Sequence, residues 1–158
     1  MKFLVDDSQS TRHRRISDFL VKDSAIIAVL LAAADFEWTL RRTIYCLGSR
    51  PIRELKAERT SGLRGYAKLW KGELQFPGAR RLEEVVGDWE ALVGAFDLRN
   101  RIIHGSQGAT GLEYATRRVH RMLLASVRVA DFGSANGANV FARLKRVKRE
   151  RDVNGGTG

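Results

Sequence analysis

Apolar residues recur every three or four positions along most of the chain, which is the spacing of one buried face of an α-helix. The first such stretch covers residues 18–47 and stops at Gly48. A shorter one covers residues 63–72 and follows Ser61, a residue type that favours helix starts. No stretch shows the alternation of apolar and polar residues that a half-buried β-strand requires. The pattern therefore predicts an all-α protein.

A second long helix is predicted over residues 82–104, where the apolar positions again lie on one face. Gly105 follows its last turn, and glycine favours the left-handed backbone that often ends a helix. Gly87 and Gly94 lie inside this pattern and weaken it. They allow another helix to approach closely, or a kink at Gly87. The last helical pattern ends near residue 132.

The length of 158 residues is enough for one domain with its own core. Composition predicts three parts within it. Residues 1–17 form a basic N-terminal segment, and residues 18–135 form the helical domain. Residues 136–158 form a flexible link and a basic C-terminal tail, and the sequence GSANG of residues 133–137 is what indicates the link.

The chain carries 28 lysines and arginines against 18 acidic residues, a formal net charge of +10. Residues 143–151 hold six cations and one acid, and the chain before residue 141 is also basic, with 22 cations and 16 acids. Such a charge suits a polyanion, most often a nucleic acid. For the body alone, an ordinary solvated surface is an equally good interpretation. The tail residues expected to track RNA phosphates are Lys145, Arg146, Lys148, Arg149 and Arg151.

The composition also argues against several classes of protein. Cys46 is the single cysteine, so there is no internal disulfide, and the three histidines are not spaced to share a metal ion. We therefore expect neither a metal site nor a cofactor. The longest apolar run, residues 25–34, is too short to span a membrane, which needs about 20 residues. The first residues lack the pattern of a signal peptide, so a cytoplasmic location is expected.

Residues 99–105, with the sequence RNRIIHG, carry the strongest indication of chemistry. RNA can be cut without metal when its 2′-hydroxyl attacks the adjacent phosphorus. Histidine can move the protons of this reaction near neutral pH, and arginine matches the phosphate oxygens. His104 and Arg99 are the candidates for these two roles. Five residues turn a helix by about 140°, so they meet at one phosphate only if the arginine curls round or a second copy completes the site.

Asn100 precedes His104 by four residues, so the two share a helix face, and a hydrogen bond between them would orient the imidazole. Arg101 competes with Arg99 for the phosphate, because it lies three residues before the histidine. Glu37 is expected to pair with Arg41 at the i,i+4 spacing, with the orientation of an active-site arginine as its alternative role.

The segment from Arg99 to His104 resembles the R-x4–6-H motif of the HEPN superfamily (higher eukaryotes and prokaryotes nucleotide-binding), in which a polar residue, often asparagine, follows the arginine. The resemblance covers roughly residues 18–132. It implies an up-and-down helical bundle with two long core helices and short connecting helices. It further implies a metal-independent endoribonuclease that leaves 2′,3′-cyclic phosphate ends, with Arg99, Asn100 and His104 as its catalytic residues.

The same resemblance implies a homodimer whose two motifs line one cleft, and a role as a toxin or in defence against phage, with a cognate antitoxin or defence-system partner. One branch pairs with a nucleotidyltransferase antitoxin and carries a tyrosine two residues after the histidine, where this chain has Ser106. The alternative is a catalytically silent HEPN-like module that binds nucleic acid, a nucleotide or a partner protein. His104 would then be an ordinary residue at a helix end.

Overall fold

The computed structural model describes residues 8–22, 24–106 and 109–142. Within these ranges the chain is helical and has no strand, which confirms the all-α prediction. None of the helices there is long and apolar enough to cross a membrane. In chain order they are α1 (Gln9–Val21), α2 (Ala25–Leu47), α3 (Ile52–Ala57), α4 (Gly62–Glu73), α5 (Leu82–Val86), α6 (Trp89–Ile103) and α7 (Leu112–Ala135).

Helices α2 and α7 form the centre of the fold and are the longest described, with 23 and 24 residues. They pack along each other, and α1 and α6 each contact both of them. The face that α2 buries is rich in small residues such as Ala28 and Ala32, and α7 presents Ala125 and Ala130. Small side chains let two helix axes approach closely, because interaxial distance depends on the residues at the contact.

An aromatic contact fixes α6 against α2. The rings of Phe36 and Phe96 meet edge to face, with centroids 5.6 Å apart and planes inclined by 70°. Such pairs add specific geometry to the burial of two large apolar groups. Leu92, Ala95 and Leu98 are buried on the same side of α6. This packing sets where the last turn of α6 lies relative to α2.

The first helical stretch differs from the prediction, because residues 18–47 belong to two helices. α1 ends at Val21 and α2 begins at Ala25, with Ser24 at its N-cap position. The polar run of residues 22–24 breaks the apolar pattern, and such side chains compete locally for backbone hydrogen bonds. The boundary predicted after residue 17 also falls inside α1. Residues on both sides of it are buried in the same core, namely Arg12, Ile16 and Leu20.

The second predicted long helix is interrupted at Gly87, which agrees with the kink that was one of two interpretations of its glycines. Gly87 has a φ of 83°, in the region that glycine favours, and separates α5 from α6. Asp88 then caps α6, since its Oδ1 accepts a hydrogen bond from the backbone N–H of Ala91 at 3.1 Å. The guanidinium of Arg128 on α7 occupies the space beside Gly87 and donates to the carbonyl of Val86 at 2.5 Å.

The predicted flexible link is structured as far as it is described. α7 continues to Ala135, and Gly133 is a buried helical residue, because a Cβ there would lie 2.7 Å from Val140 Cγ2. After Gly137 the chain folds back, and Val140 is buried. The guanidinium of Arg42 donates hydrogen bonds to two backbone carbonyls of the returning segment. Residues 138–142 are therefore part of the packed structure.

Candidate active site

Residues 99–105 form the end of α6, and a Schellman motif closes it. The N–H of Ser106 donates to the carbonyl of Arg101 at 3.0 Å, and that of Gly105 donates to Ile102 at 3.2 Å. His104 is the C-cap, and Gly105 has a φ of 71°. Both the helix end and the left-handed glycine are as predicted. The imidazole of His104 is thereby carried at an exposed helix end.

Arg99 is held from two sides. Its Nη1 donates to Asn100 Oδ1 at 3.0 Å, and its Nη2 lies 3.8 Å from Glu37 Oε1 on α2. Both charged side chains are partly buried, with 30% and 23% of their surface exposed. The Phe36–Phe96 contact brings these segments of α2 and α6 together. Arg99 therefore has a defined position while 30% of its side chain stays exposed to solvent.

Glu37 lies beside Arg99, where its alternative role of orienting an active-site arginine would require it. The expected close ion pair with Arg41 is not formed. The Nε of Arg41 donates to the hydroxyl of Tyr66, and the charge of Glu37 acts on Arg41 from a longer distance. The carboxylate of Glu37 instead faces Arg99 from the neighbouring helix. The pair is loose at 3.8 Å, so the guanidinium of Arg99 can still meet another anion.

The hydrogen bond predicted between Asn100 and His104 is not formed. The amide oxygen of Asn100 accepts from Arg99 instead, and no hydrogen bond joins the His104 ring to another described residue. The guanidinium of Arg99 is adjacent in sequence, and a charged donor makes a strong hydrogen bond to an amide oxygen. One chain therefore brings Glu37, Arg99 and Asn100 together and leaves His104 without a hydrogen-bonded partner from this group.

Arg101 points to a different neighbour. Its Nη2 donates to the hydroxyl of Tyr114 on α7 at 3.3 Å, and Nη2 of Arg118 donates to the same oxygen at 3.3 Å. These hydrogen bonds, from Arg118 first and then Arg101, lower the pKa of Tyr114. Two residues along a helix separate Arg99 from Arg101 by about 200°, which is why one faces α2 and the other α7.

Sequence reasoning missed Tyr114 and Arg118. Their i,i+4 spacing near the start of a predicted helix was the available indication, since it places an arginine over a tyrosine ring. The guanidinium carbon of Arg118 lies 4.8 Å from the ring centroid of Tyr114. The proximity of Arg101 could not be found in this way, because it depends on how the chain turns between α6 and α7.

A buried polar cluster away from α6 was also missed. Asp35 on α2 is 2% exposed and accepts hydrogen bonds from Arg12 Nε and His13 Nε2 at 2.8 Å each, and from Ser126 Oγ at 2.7 Å. Burial alone would raise the pKa of Asp35, but the bonds from His13, Arg12 and Ser126 hold it below its ordinary value. The cluster joins α1, α2 and α7. His13, taken from sequence as part of a basic segment, has a structural partner here.

One group of predicted site residues lies in the C-terminal tail. The tail residues expected to contact RNA lie outside the described part of the chain, which ends at residue 142: Lys145, Arg146, Lys148, Arg149 and Arg151. Within the described part, no group of three or more histidine, cysteine or acidic residues is placed to hold a metal ion.

In comparisons with known proteins, no family model, no curated protein and no solved structure matches this chain. The HEPN resemblance therefore stays a prediction, carried by the motif at the end of α6.

Proposed function

We propose that the protein is a metal-independent endoribonuclease of the HEPN type that works as a homodimer. Arg99 contacts the scissile phosphate, His104 transfers protons, and Asn100 positions Arg99 rather than the histidine. Two long helices, α2 and α7, with shorter helices around them agree with the bundle that the resemblance implies. Two features of the motif support the proposal, and both lie at one helix end.

The observation that carries it is the contrast between Arg99 and His104. Arg99 is restrained by Asn100 and Glu37, as a group must be that meets a phosphate in one orientation. His104, five residues on, is exposed and has no hydrogen-bonding partner among the described residues. What separates His104 from the other exposed histidine, His120 on α7, is its place at a helix end five residues after a restrained arginine. The free ring is suited to exchange protons with a bound substrate.

The proposed reaction is a transesterification. The 2′-oxygen attacks phosphorus while its proton passes to one imidazole, and the bond from phosphorus to the 5′-oxygen breaks. The departing 5′-oxygen takes a proton from a second imidazole, which leaves a 2′,3′-cyclic phosphate and a 5′-hydroxyl. Arg99 stabilises the negative charge that develops on the phosphorane oxygens. One chain supplies one histidine at this helix end, so a two-fold dimer supplies the second.

The dimer is the first testable consequence. Light scattering on the purified protein should give a mass twice that of one chain. Because cleavage by one base and one acid needs both copies of the motif, activity should fall on dilution below the dimer dissociation constant. A strictly monomeric protein that still cleaves RNA would contradict the composite site.

RNA cleavage by the pure protein tests the function itself. We expect single-stranded RNA to be cut in EDTA at the rate seen without it, since no metal takes part. Loss of activity in EDTA would contradict the proposal. Intact RNA in both samples would favour the silent module, and stabilisation by one nucleotide in a thermal shift assay would then identify a nucleotide-binding form of it.

A role as a toxin or phage-defence component, with an antitoxin or defence partner, is the part of this proposal that rests on the resemblance alone. The cytoplasmic location is proposed with it. Induction of the protein in cells should produce new 5′-hydroxyl ends on specific RNAs, and a catalogue of those ends would identify the target.

A further inference from the structure

A groove between α6 and α7 adjoins the proposed active site. Its volume is about 230 Å³, and it is lined by Ala91, Tyr114, Arg117, Arg118 and Arg121. Arg101 connects it to the end of α6, because its guanidinium donates to the hydroxyl of Tyr114 in the groove wall. Arg101 is three residues before His104. The groove therefore leads along α7 to the helix end that carries the motif.

Two guanidiniums converge at this junction without an acid between them. Arg101 and Arg118 both donate to the Tyr114 hydroxyl at 3.3 Å, and neither forms an ion pair with a described carboxylate. Two positive charges at one neutral oxygen repel each other. An anion bound between them would relieve this repulsion and accept hydrogen bonds from both.

Gly94 explains why Arg118 can lie across α6. A Cβ at position 94 would come within 2.6 Å of Arg118 Nη1 and 3.2 Å of Arg118 Cζ. Glycine within a helix is destabilising relative to alanine. Here the missing side chain makes room for the guanidinium, which is half-buried between the two helices. The position of Arg118 is thus built into the packing of α6.

The outer part of the groove also carries arginine. Arg117 lies 3.9 Å from Glu113, and Arg121 lies 3.4 Å from Asp88. Both pairs are at the surface, with roughly half or more of each side chain exposed, so each is weak and readily exchanged for another anion. Among the described residues, four arginines and no lysine line or join the groove. Each guanidinium presents a planar fork of N–H donors that matches the oxygens of a phosphate.

We propose that this groove binds the phosphodiester backbone of single-stranded RNA, with Arg118 and Arg101 holding the phosphate nearest the motif. The inference rests on the proposed function, because it describes how the strand that is cleaved at His104 would be held. The contacts are to the backbone, so they add affinity without sequence preference. Arg118 is a binding residue in this scheme and takes no part in proton transfer.

Binding is measured with a fluorescent 2′-O-methyl RNA of twelve nucleotides, which lacks the attacking hydroxyl and cannot be cut. Arg118→Gln and Arg101→Gln are compared with Arg53→Gln, a matched control on α3, where Arg53 is exposed and the described helix packs only against α2. Losing one phosphate contact reduces the slope of log affinity against log salt concentration by about 0.7. When salt is lowered from 1 M to 50 mM, the affinity of the variant therefore rises roughly eightfold less than that of the wild type. We expect this loss for each groove variant and a smaller one for Arg53→Gln.

Gly94→Ala separates a built site from diffuse charge. It displaces the guanidinium of Arg118 without changing net charge, and alanine favours the helix, so the protein should stay folded. We expect weaker RNA binding by this variant. Wild-type affinity in Gly94→Ala, or equal losses in Arg118→Gln and Arg53→Gln, would overturn the proposal. So would capture of polyglutamate in preference to RNA, which would assign the groove to an acidic protein segment.

The outcomes for groove and catalysis are distinct. If the wild-type protein leaves native RNA intact while Arg118→Gln binds the 2′-O-methyl RNA more weakly, the ribonuclease proposal fails and the groove stands. If the wild-type protein cuts RNA and Arg118→Gln binds like Arg53→Gln, the groove proposal fails and the ribonuclease stands.

Discussion

Replacing His104 with alanine should reduce RNA cleavage by at least about 10²-fold, the lower end of what general acid–base catalysis contributes. In a dimer the substitution removes both the base and the acid, so the loss should approach or exceed 10⁴-fold. Arg99→Ala should cost about 10²- to 10³-fold, because it removes one donor to the developing charge on the phosphorane. Single-turnover rates with purified protein and a short labelled RNA measure both effects.

The controls for this experiment lie on the same protein. His120 is an exposed histidine on α7, and His120→Ala should cleave RNA at the wild-type rate. The midpoint of thermal unfolding should change little in His104→Ala, since the ring is exposed and has no hydrogen-bonding partner among the described residues. Arg101→Ala should weaken RNA binding more than it slows the bound reaction. A His104→Ala variant that cleaves at the wild-type rate would remove the histidine from the mechanism.

The second large effect is on stability. Asp35→Asn removes the negative charge that faces Arg12, whose side chain is only 2% exposed, and disrupts the cluster that joins three helices. Breaking a buried ion pair by removing one partner costs about 3–5 kcal/mol. For a domain of this size that lowers the midpoint of thermal unfolding by roughly 10 °C. Urea unfolding measures the free energy, and the exposed Asp18→Asn on α1 serves as the control, with a change within about 0.5 kcal/mol.

The pH dependence of unfolding provides a second readout of the same cluster. The pKa of Asp35 is lower in the folded protein than in the unfolded chain, so near pH 4 the unfolded chain binds more protons. The contribution of Asp35 to stability is therefore complete above the ordinary carboxyl pKa and is lost as the pH falls through the folded pKa. Wild type should lose stability more steeply below pH 4 than Asp35→Asn. Parallel curves would show that Asp35 is not held charged by its partners.

The periodic pattern of apolar residues was sufficient for the helical class, and glycine placed two helix boundaries. Gly105 ends α6 and Gly87 begins the kink before it because each has a positive φ, a property of the residue itself. Gly133 was wrongly predicted to belong to a flexible link, because the need for glycine there comes from packing and not from its backbone angles. Its conformation is helical, and what requires glycine is the approach of Val140, which a local pattern does not reveal.

The contacts of the candidate site were predictable only where they are local. The hydrogen bond between Arg99 and Asn100 joins adjacent residues, but the helical spacing had made His104 the expected partner of Asn100. Asp35 meets Arg12 and Ser126 across 23 and 91 residues of sequence, and Arg101 meets Tyr114 across 13. Periodicity shows which face of a helix is buried and leaves open which helix covers it.

The most direct measurement is the chemical identity of the RNA ends produced by wild-type protein and by His104→Ala, side by side in EDTA. We expect wild type to leave 2′,3′-cyclic phosphate and 5′-hydroxyl ends, and a single 2′-deoxynucleotide at the mapped cleavage position to block the cut. His104→Ala should leave the RNA intact. Ends with 5′-phosphate, or the same cyclic ends from His104→Ala at the wild-type rate, would contradict catalysis by the end of α6.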